Sequence, residues 1–201
     1  MMETYTKSLE SIISDCENWA KEIGETYQAD LIIFIAKSGF LFAKPIAEYF
    51  NCAMVDILVS RPASKIKDKL KWFIKFIPDS IIFTILKMPL TYKFNNKNKE
   101  RKIKVSERFE KEKRRAHKKI LIVDDSVDTG WTLQYVYKIV KKSFPEAIIK
   151  TAAYAVIDYS KDKVSVDYYK YRNTIVLTAT SRKSTQYGMF LKLYEAWITG
   201  Q

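Results

Sequence analysis

Five short apolar runs constrain the fold of this chain more than any other feature of its sequence. They are rich in β-branched residues and occupy residues 30–36, 52–60, 119–125, 148–158 and 173–180. A strand that is apolar on both sides must be covered on both faces, as the strands of a parallel sheet are. Stretches with helical periodicity alternate with these runs, near residues 9–27, 40–50, 132–144 and 185–198. The alternation predicts an α/β fold with a mainly parallel sheet.

Length and composition fit a single domain over residues 1–201 that carries a large insertion. Of the 201 residues, 47% are hydrophobic, which is enough for a sizeable core. One histidine and two cysteines make disulfide scaffolds, four-cysteine zinc sites, multi-histidine metal sites and Ser-His-Asp catalysis poor candidates. The first residues lack a secretory signal pattern and no long uncharged apolar run occurs, so we expect a cytoplasmic protein.

The positive charge is concentrated in residues 61–118, called the hood segment below. It holds 19 Lys and Arg against 6 Asp and Glu, whereas the whole chain has a net charge of +12. Residues 65–90 have the pattern of two amphipathic helices separated at Pro78, residues 95–104 that of a loop, and residues 105–118 that of a further helix. The charge suits a lid over a phosphate-rich substrate, a nucleic acid or an acidic membrane surface.

Two of the five glycines, Gly39 and Gly130, follow the ends of predicted strands. The carboxyl ends of parallel strands share one edge of a sheet, and ligands of open α/β sheets bind at that edge. The turn before Gly39 reads Lys-Ser-Gly, which by itself is an ordinary turn sequence. We therefore expect the ligand site where these two turns meet.

The segment ILIVDDSVDTGWTL at 120–133 carries the strongest chemical signal. An apolar strand ends in Asp124 and Asp125, and a short turn then leads into a helix. Successive backbone N–H groups before a helix N-terminus form a cradle for a phosphate. An acidic pair beside that cradle suits sugar hydroxyls, or Mg²⁺ held through water. The pattern predicts a sugar-phosphate site.

These residues resemble the diphosphoribose-binding signature of the type I phosphoribosyltransferases. The resemblance implies a Rossmann-like parallel sheet with a hood, phosphoribosyl diphosphate as donor, Mg²⁺ as cofactor, a small nucleobase-like acceptor such as a purine, and a homodimer. It places the ribose on Asp124 and Asp125, which would also hold Mg²⁺ through water, and makes Asp128 the base for an acceptor proton. The 5′-phosphate contacts would be Ser126, Val127, Asp128, Thr129, Gly130, Trp131 and Thr132.

The first turn agrees with the same family. Residues Ala36, Lys37, Ser38 and Gly39 resemble its pyrophosphate-binding loop, in which a non-proline cis peptide would fall at Ala36–Lys37. Arg61, Arg101 and Lys102 in the hood segment are further candidate contacts to the diphosphate. The expected reaction is the transfer of a 5-phosphoribosyl group with release of pyrophosphate.

The acceptor pocket departs from the pattern of the bacterial 6-oxopurine branch. Ile157-Asp158-Tyr159 replaces the expected lysine, and residues 178–181 replace an acidic tail. Tyr159 or Tyr187 is a candidate for the missing stacking ring. The identity of the acceptor is therefore open.

Three other functions compete with catalysis of this kind. A nucleotide- or phosphoribosyl-diphosphate-sensing regulator on the same fold would use the basic segment to bind nucleic acid. A peripheral membrane role would use residues 72–90. A phospho-acceptor receiver domain also begins like KKILIVDD, but only 77 residues follow Asp124, which is too few for that family's pattern.

Overall fold

A six-stranded sheet flanked by helices forms the centre of the protein. The structure is a computed structural model and describes residues 3–60, 102–158 and 164–200. Its strands are β1 (Glu3–Thr6), β2 (Leu31–Ala36), β3 (Ala53–Ser60), β4 (Lys102–Val105), β5 (Lys119–Val127), β6 (Ile148–Val156), β7 (Tyr168–Arg172) and β8 (Thr174–Leu177). Its helices are α1 (Leu9–Gly24), α2 (Phe40–Phe50), α3 (Glu107–Glu112), α4 (Trp131–Ser143) and α5 (Tyr187–Thr199).

The main sheet has the strand order β4-β3-β2-β5-β6-β7, and only β4 is antiparallel to its neighbour. The predicted α/β fold with a mainly parallel sheet is therefore confirmed. Strands β2 and β5 are direct neighbours, with Phe34 opposite Val123. The turns that follow these two strands consequently lie side by side at the carboxyl edge.

Apolar cores cover both faces of the sheet, as the continuous apolar runs require. Strand β2 sends Ile32 and Phe34 into the core beneath α1, α2 and α5. It sends Leu31, Ile33 and Ile35 into the opposite core, beneath α3 and α4. All five side chains are buried, which anchors the strand that carries the first ligand loop.

A second, two-stranded parallel sheet joins β1 to β8, with Glu3 opposite Thr174. The sequence did not predict β1 or β7, and it predicted residues 173–180 as one long buried strand. The structure corrects this: Asn173 has a left-handed backbone, with φ of 51°, and separates β7 at the sheet edge from the shorter β8. Asparagine adopts that conformation more readily than most residues, so the chain turns out of the main sheet there.

The end of the hood segment also differs from the prediction. Residues 102–104 were expected in a loop, but they belong to β4, which pairs with the end of β3. Lys102 and Lys104 alternate with Ile103 and Val105, which pack against the core. That alternation is typical of an edge strand with one covered face.

Helix α3 is shorter than the helix predicted over 105–118. It begins after Ser106, whose Oγ accepts a hydrogen bond from the Phe109 N–H at 3.2 Å, and ends at Glu112. The helices predicted within 65–90, and the possible contacts Arg61 and Arg101, lie outside the described residues.

In the described ranges, no helix combines the length and the apolar composition needed to span a membrane.

Candidate functional site

The two loops at the carboxyl edge enclose a cavity of about 300 Å³. Its walls come from the ends of β2, β3 and β5 and from the first turn of α4. The lining residues are Ile35, Ala36, Ser38, Val59, Asp124, Asp125, Ser126, Val127, Asp128, Thr129, Gly130, Thr132 and Leu133.

The first loop joins β2 to α2 in a very tight turn. The peptide bond between Ala36 and Lys37 is cis, at the position implied by the family resemblance. A Cβ on Gly39 would lie 2.7 Å from the Ile35 carbonyl oxygen and 3.0 Å from that of Val123. Only glycine therefore allows α2 to begin this close to β2 and β5.

Lys37 does not line the cavity, although the family resemblance placed it in the pyrophosphate loop. Its Nζ lies 5.5 Å from the centre of the Tyr194 ring on α5. In this conformation Ala36 and Ser38 of the loop line the cavity, and the Lys37 ammonium group packs on an aromatic face.

The second loop begins later than predicted, because β5 continues through Val127. Ser126 and Val127 are still in register with Ala155 and Val156 of β6, so they belong to the strand. Gly130 then has φ of 75°, a left-handed conformation that favours glycine, and α4 begins at the next residue.

The 13-residue helix α4 directs its amino end at the cavity, where Thr132 and Leu133 line the wall. The first N–H groups of a helix have no acceptor within the helix, and its dipole favours a negative charge there. Thr129, which is 8% exposed, adds a hydroxyl in the turn. This end of the cavity is chemically suited to a phosphate group.

An acidic pair lies between the two loops. Asp124 is 6% exposed, and its Oδ1 accepts a hydrogen bond from the Asp125 N–H at 2.9 Å. Asp125 is half-buried, and its Oδ1 accepts from the Ser126 N–H at 2.9 Å. In the described part of the chain, neither carboxylate forms an ion pair with a Lys or Arg.

Burial and the neighbouring charge of Asp125 hold the pKa of Asp124 well above its ordinary value. Burial also raises the pKa of Asp125, although hydrogen bonds from Asp124 and from the Ser38 side chain oppose that rise. Ser38 of the first loop therefore lies close to Asp125 at the start of the second. The site thus holds acidic groups that a cation or hydroxyl donors would stabilise.

Asp128 follows β5 directly, lines the cavity and is exposed. Its side chain is therefore accessible to a bound molecule, in contrast to the buried Asp124. A carboxylate in this position is within the same cavity as the acidic pair and the helix N-terminus.

Most of the residues singled out from the sequence are brought together in this cavity. Among the residues assigned to the donor and the metal, the exceptions are Lys37, Gly39 and Trp131; Gly39 shapes the loop backbone and the Trp131 ring lies 6.3 Å from the Tyr135 ring. The further candidates Lys102 and Tyr187 do not line the cavity either. The sequence analysis did not identify Val59 and Leu133, whose apolar side chains form part of the cavity wall. Val59 lies at the end of the strand next to β2, so a parallel-sheet model of the sequence contained the signal for it.

Among the described residues, no group of three or more His, Cys, Asp or Glu side chains is arranged to hold a metal ion by itself. The two adjacent carboxylates Asp124 and Asp125 supply oxygen ligands of the kind Mg²⁺ prefers. Further ligands would have to come from water or from a bound phosphate compound.

At residues 157–158, where the family resemblance implied an acceptor-binding lysine, the structure has a charged cluster. Asp158 follows the buried Ile157, and its Oδ1 accepts from Arg172 Nε at 2.9 Å. Tyr187 packs beside Phe190, with ring centres 5.9 Å apart, and is half-buried. Tyr159 lies outside the described residues.

The family model described as phosphoribosyl transferase domain matches residues 5–187 of the chain. No curated protein sequence matches it.

Several solved structures share the fold. The purine phosphoribosyltransferase from Pyrococcus horikoshii OT3 is 19% identical over 90% of this chain and 95% of its own, with a TM-score of 0.58. The xanthine-guanine-hypoxanthine phosphoribosyltransferase of Helicobacter pylori is 12% identical over 96% and 99%, with a TM-score of 0.60. A hypothetical protein from Neisseria gonorrhoeae with bound ppGpp is 14% identical over 98% of both chains, with a TM-score of 0.60.

Proposed function

This chain belongs to the phosphoribosyl transferase domain family and is a pentosyltransferase, and we propose that it moves a 5-phosphoribosyl group from phosphoribosyl diphosphate to a nucleobase-like acceptor. The observation that carries the proposal is one cavity that contains an acidic pair, a helix N-terminus and an exposed aspartate. Those groups match a sugar that has free hydroxyls and a phosphate at its far end.

The 5′-phosphate would lie in the turn formed by residues 126–132, against the amino end of α4. The ribose hydroxyls would donate hydrogen bonds to Asp124 and Asp125, which have no cationic partner among the described side chains. The diphosphate would lie along residues 36–39, on the β2 side of the cavity.

Transfer breaks the bond between C1 of the ribose and the diphosphate oxygen, and the electron pair leaves with the diphosphate. A bond forms between C1 and a ring nitrogen of the acceptor. Asp128 accepts the proton that this nitrogen loses, as a general base within reach of the cavity. The protein contributes mainly by holding donor and acceptor in line.

Mg²⁺ fits this site because two adjacent carboxylates, one of them buried, lack a positive partner in the described structure. Asp124 and Asp125 would hold it through water, together with oxygens of the donor. When bound, the ion would neutralise charge on the departing diphosphate.

Pyrophosphate release tests the proposal directly. The full chain is supplied with phosphoribosyl diphosphate, Mg²⁺ and, in turn, hypoxanthine, guanine, xanthine, adenine and orotate. We expect release with one acceptor, and Asp128→Asn should slow that release by about 10²- to 10⁴-fold, the usual contribution of a general base. Undiminished release by the variant would remove Asp128 from this role, and no binding of the donor by the wild-type chain would contradict the whole proposal.

A nucleotide-sensing regulator is the second candidate. It is favoured by the Neisseria gonorrhoeae structure, which holds ppGpp on a similar fold, and by the charge of the hood segment, which suits nucleic acid. Calorimetric titration with ppGpp, with and without phosphoribosyl diphosphate, distinguishes the candidates. Tight ppGpp binding without any turnover would favour the sensor, and nucleic-acid binding that weakens steeply with salt would add to it.

A homodimer and a cytoplasmic location complete the proposal. Cys16 and Cys52 are both free thiols, which suits a reducing compartment. Sedimentation of the full chain over a range of concentrations measures the assembly state, and a monomer at all of them would contradict the dimer.

A further inference from the structure

A second polar cluster lies at the carboxyl edge, one strand beyond Asp128. The Ile157 N–H donates to the Val127 carbonyl at 2.9 Å, and the Asn173 N–H donates to the Val156 carbonyl at 2.8 Å. Val127 is in register with Val156, and Val156 with Arg172. Since neighbouring strands are about 4.8 Å apart, the Arg172 backbone lies about 10 Å from that of Val127. An acceptor ring bound beside Asp128 could therefore be reached by the side chain of Arg172, because the ring and the side chain together are about as long as this backbone separation.

Arg172 is held in one orientation by its neighbours. Its Nε donates to Asp158 Oδ1 at 2.9 Å, and the second Asp158 oxygen accepts from the Asn173 side-chain amide. The Asn173 Oδ1 in turn accepts from the Asp158 N–H at 2.9 Å. Asn173 has the left-handed φ of 51° that lets its amide face back toward Asp158. Reciprocal bonds of this kind fix both the carboxylate and the guanidinium that it carries.

The outer edge of the guanidinium remains available. Nη1 makes only a long contact of 3.5 Å to the Tyr169 hydroxyl, and Nη2 donates to no residue in the described ranges. The Arg172 side chain is 46% exposed, and the Tyr169 ring centre lies 5.8 Å from the guanidinium carbon. The cluster therefore offers a forked pair of N–H donors beside an aromatic face.

A fork of this shape selects its ligand by geometry. Two parallel N–H groups match the two oxygens of a carboxylate, and the charge strengthens both hydrogen bonds. A 6-oxopurine can also meet the fork, with its O6 and N7 acceptors. Both of these atoms are neutral, so a carboxylate forms the stronger, charge-assisted pair with the guanidinium. Ile157-Asp158-Tyr159 replaces the lysine that the family resemblance implied. A lysine donates from a single nitrogen, whereas the Arg172 guanidinium donates from two in parallel.

We propose that Arg172 is a specificity-determining residue, positioned by Asp158 and Asn173, and that it selects an acceptor whose ring carries a carboxylate. This inference rests on the proposed phosphoribosyl transfer and names the acceptor class for it. The carboxylate is held by the Arg172 fork, the ring nitrogen lies toward C1 of the donor, and Asp128 lies on the opposite side of the ring from Arg172.

The test uses matched acceptor pairs that differ in the carboxylate: orotate against uracil, and nicotinate against nicotinamide. The ring nitrogen of the second pair carries no proton to lose, so that pair tests the carboxylate contact without the Asp128 step. Each is given to the full chain with phosphoribosyl diphosphate and Mg²⁺, and the acceptor KM and kcat are measured. The carboxylate member of a pair should be preferred by at least about tenfold, as expected for a bidentate charged contact. Arg172→Lys should remove most of that preference by raising KM, with kcat little changed.

Asp158→Asn should raise the KM for the carboxylate member in the same way, because it releases the guanidinium. Lys170→Gln is the matched control on the same strand: Lys170 pairs with Glu22 of α1 at 2.7 Å and should leave the preference unchanged. Unchanged thermal unfolding of each variant excludes a folding defect as the cause.

Two results would overturn the inference. The first is equal kcat/KM for both members of each pair. The second is turnover of a purine with a KM that Arg172→Lys does not alter. Either result means that Arg172 does not contact the acceptor. Donor binding, followed by calorimetry without any acceptor, separates this failure from failure of the proposed function: binding of phosphoribosyl diphosphate with no carboxylate preference refutes only the acceptor class, whereas no donor binding refutes both.

Discussion

Asp124 is the residue at which stability and the proposed function oppose each other most directly. It is buried, its neighbour is a second carboxylate, and both factors raise its pKa. A buried charge without a cationic partner is costly in the ligand-free protein. The same charge is what a ribose or a hydrated cation would use.

The pH dependence of unfolding should reveal that cost. Below the unfolded-state pKa of about 3.9 the carboxyl is protonated in both states and costs nothing. As the pH rises toward the higher folded-state pKa, the unfolded chain releases its proton first, so the folded state loses relative stability. Asp124→Asn should therefore increase the free energy of unfolding at pH 7 by about 1 kcal/mol and by little near pH 4.

Urea unfolding of the two proteins at pH 4 and pH 7, without ligand, measures this difference. The variant should also lose donor binding, since its amide replaces an acceptor for ribose hydroxyls. An equal increase in the free energy of unfolding at both pH values would contradict the assignment of an uncompensated charge to Asp124. A decrease at pH 7 would contradict it as well.

At the scale of elements, the close approach of α2 to strands β2 and β5 depends on Gly39. The contacts are to backbone carbonyl oxygens, which cannot move aside as a side chain does. The φ of Gly39 is −57°, so the requirement for glycine is steric and does not come from backbone conformation.

Gly39→Ala should destabilise the protein by about 1–3 kcal/mol, the usual range for overpacking. Gly188→Ala is the matched control, because a Cβ there meets nothing within 4 Å. Gly188 lies in α5, where alanine has the higher helix propensity, so that variant should be unchanged or stabilised by up to about 1 kcal/mol. Denaturant titration of both variants measures the contrast, and equal effects would argue against the steric reason.

At the scale of the whole molecule, the donor would join loops from β2–α2 and β5–α4. A ligand that binds only the folded state stabilises it by an amount set by its concentration, about 2.7 kcal/mol at one hundred times Kd. Phosphoribosyl diphosphate with Mg²⁺ should therefore raise the unfolding temperature progressively.

Thermal unfolding over a range of donor concentrations measures this effect. Inorganic phosphate, which lacks the ribose and the diphosphate, should have a smaller effect, and Asp124→Asn should weaken the response to the donor. If phosphate and the donor raised the unfolding temperature by the same amount, the site would not recognise the sugar.

The sequence alone predicted the α/β class, the positions of most strands along the chain and the two loops that meet at the carboxyl edge. Apolar runs such as 30–36 must be covered on both faces, and two glycine turns after such strands must meet at one sheet edge. The residues from Asp124 to Thr132 are contiguous, so their grouping needed no knowledge of distant contacts.

Only the tertiary structure decided what depends on contacts between distant residues. Strand β4 pairs with β3 although more than forty residues separate them in the chain, and β8 leaves the main sheet after the left-handed residue Asn173. Asp158 meets Arg172 because two parallel strands end together, and Lys37 packs on Tyr194 from the far end of the chain. Local sequence patterns report propensity and periodicity, whereas these pairings depend on which strand ends and helices become neighbours once the sheet has formed.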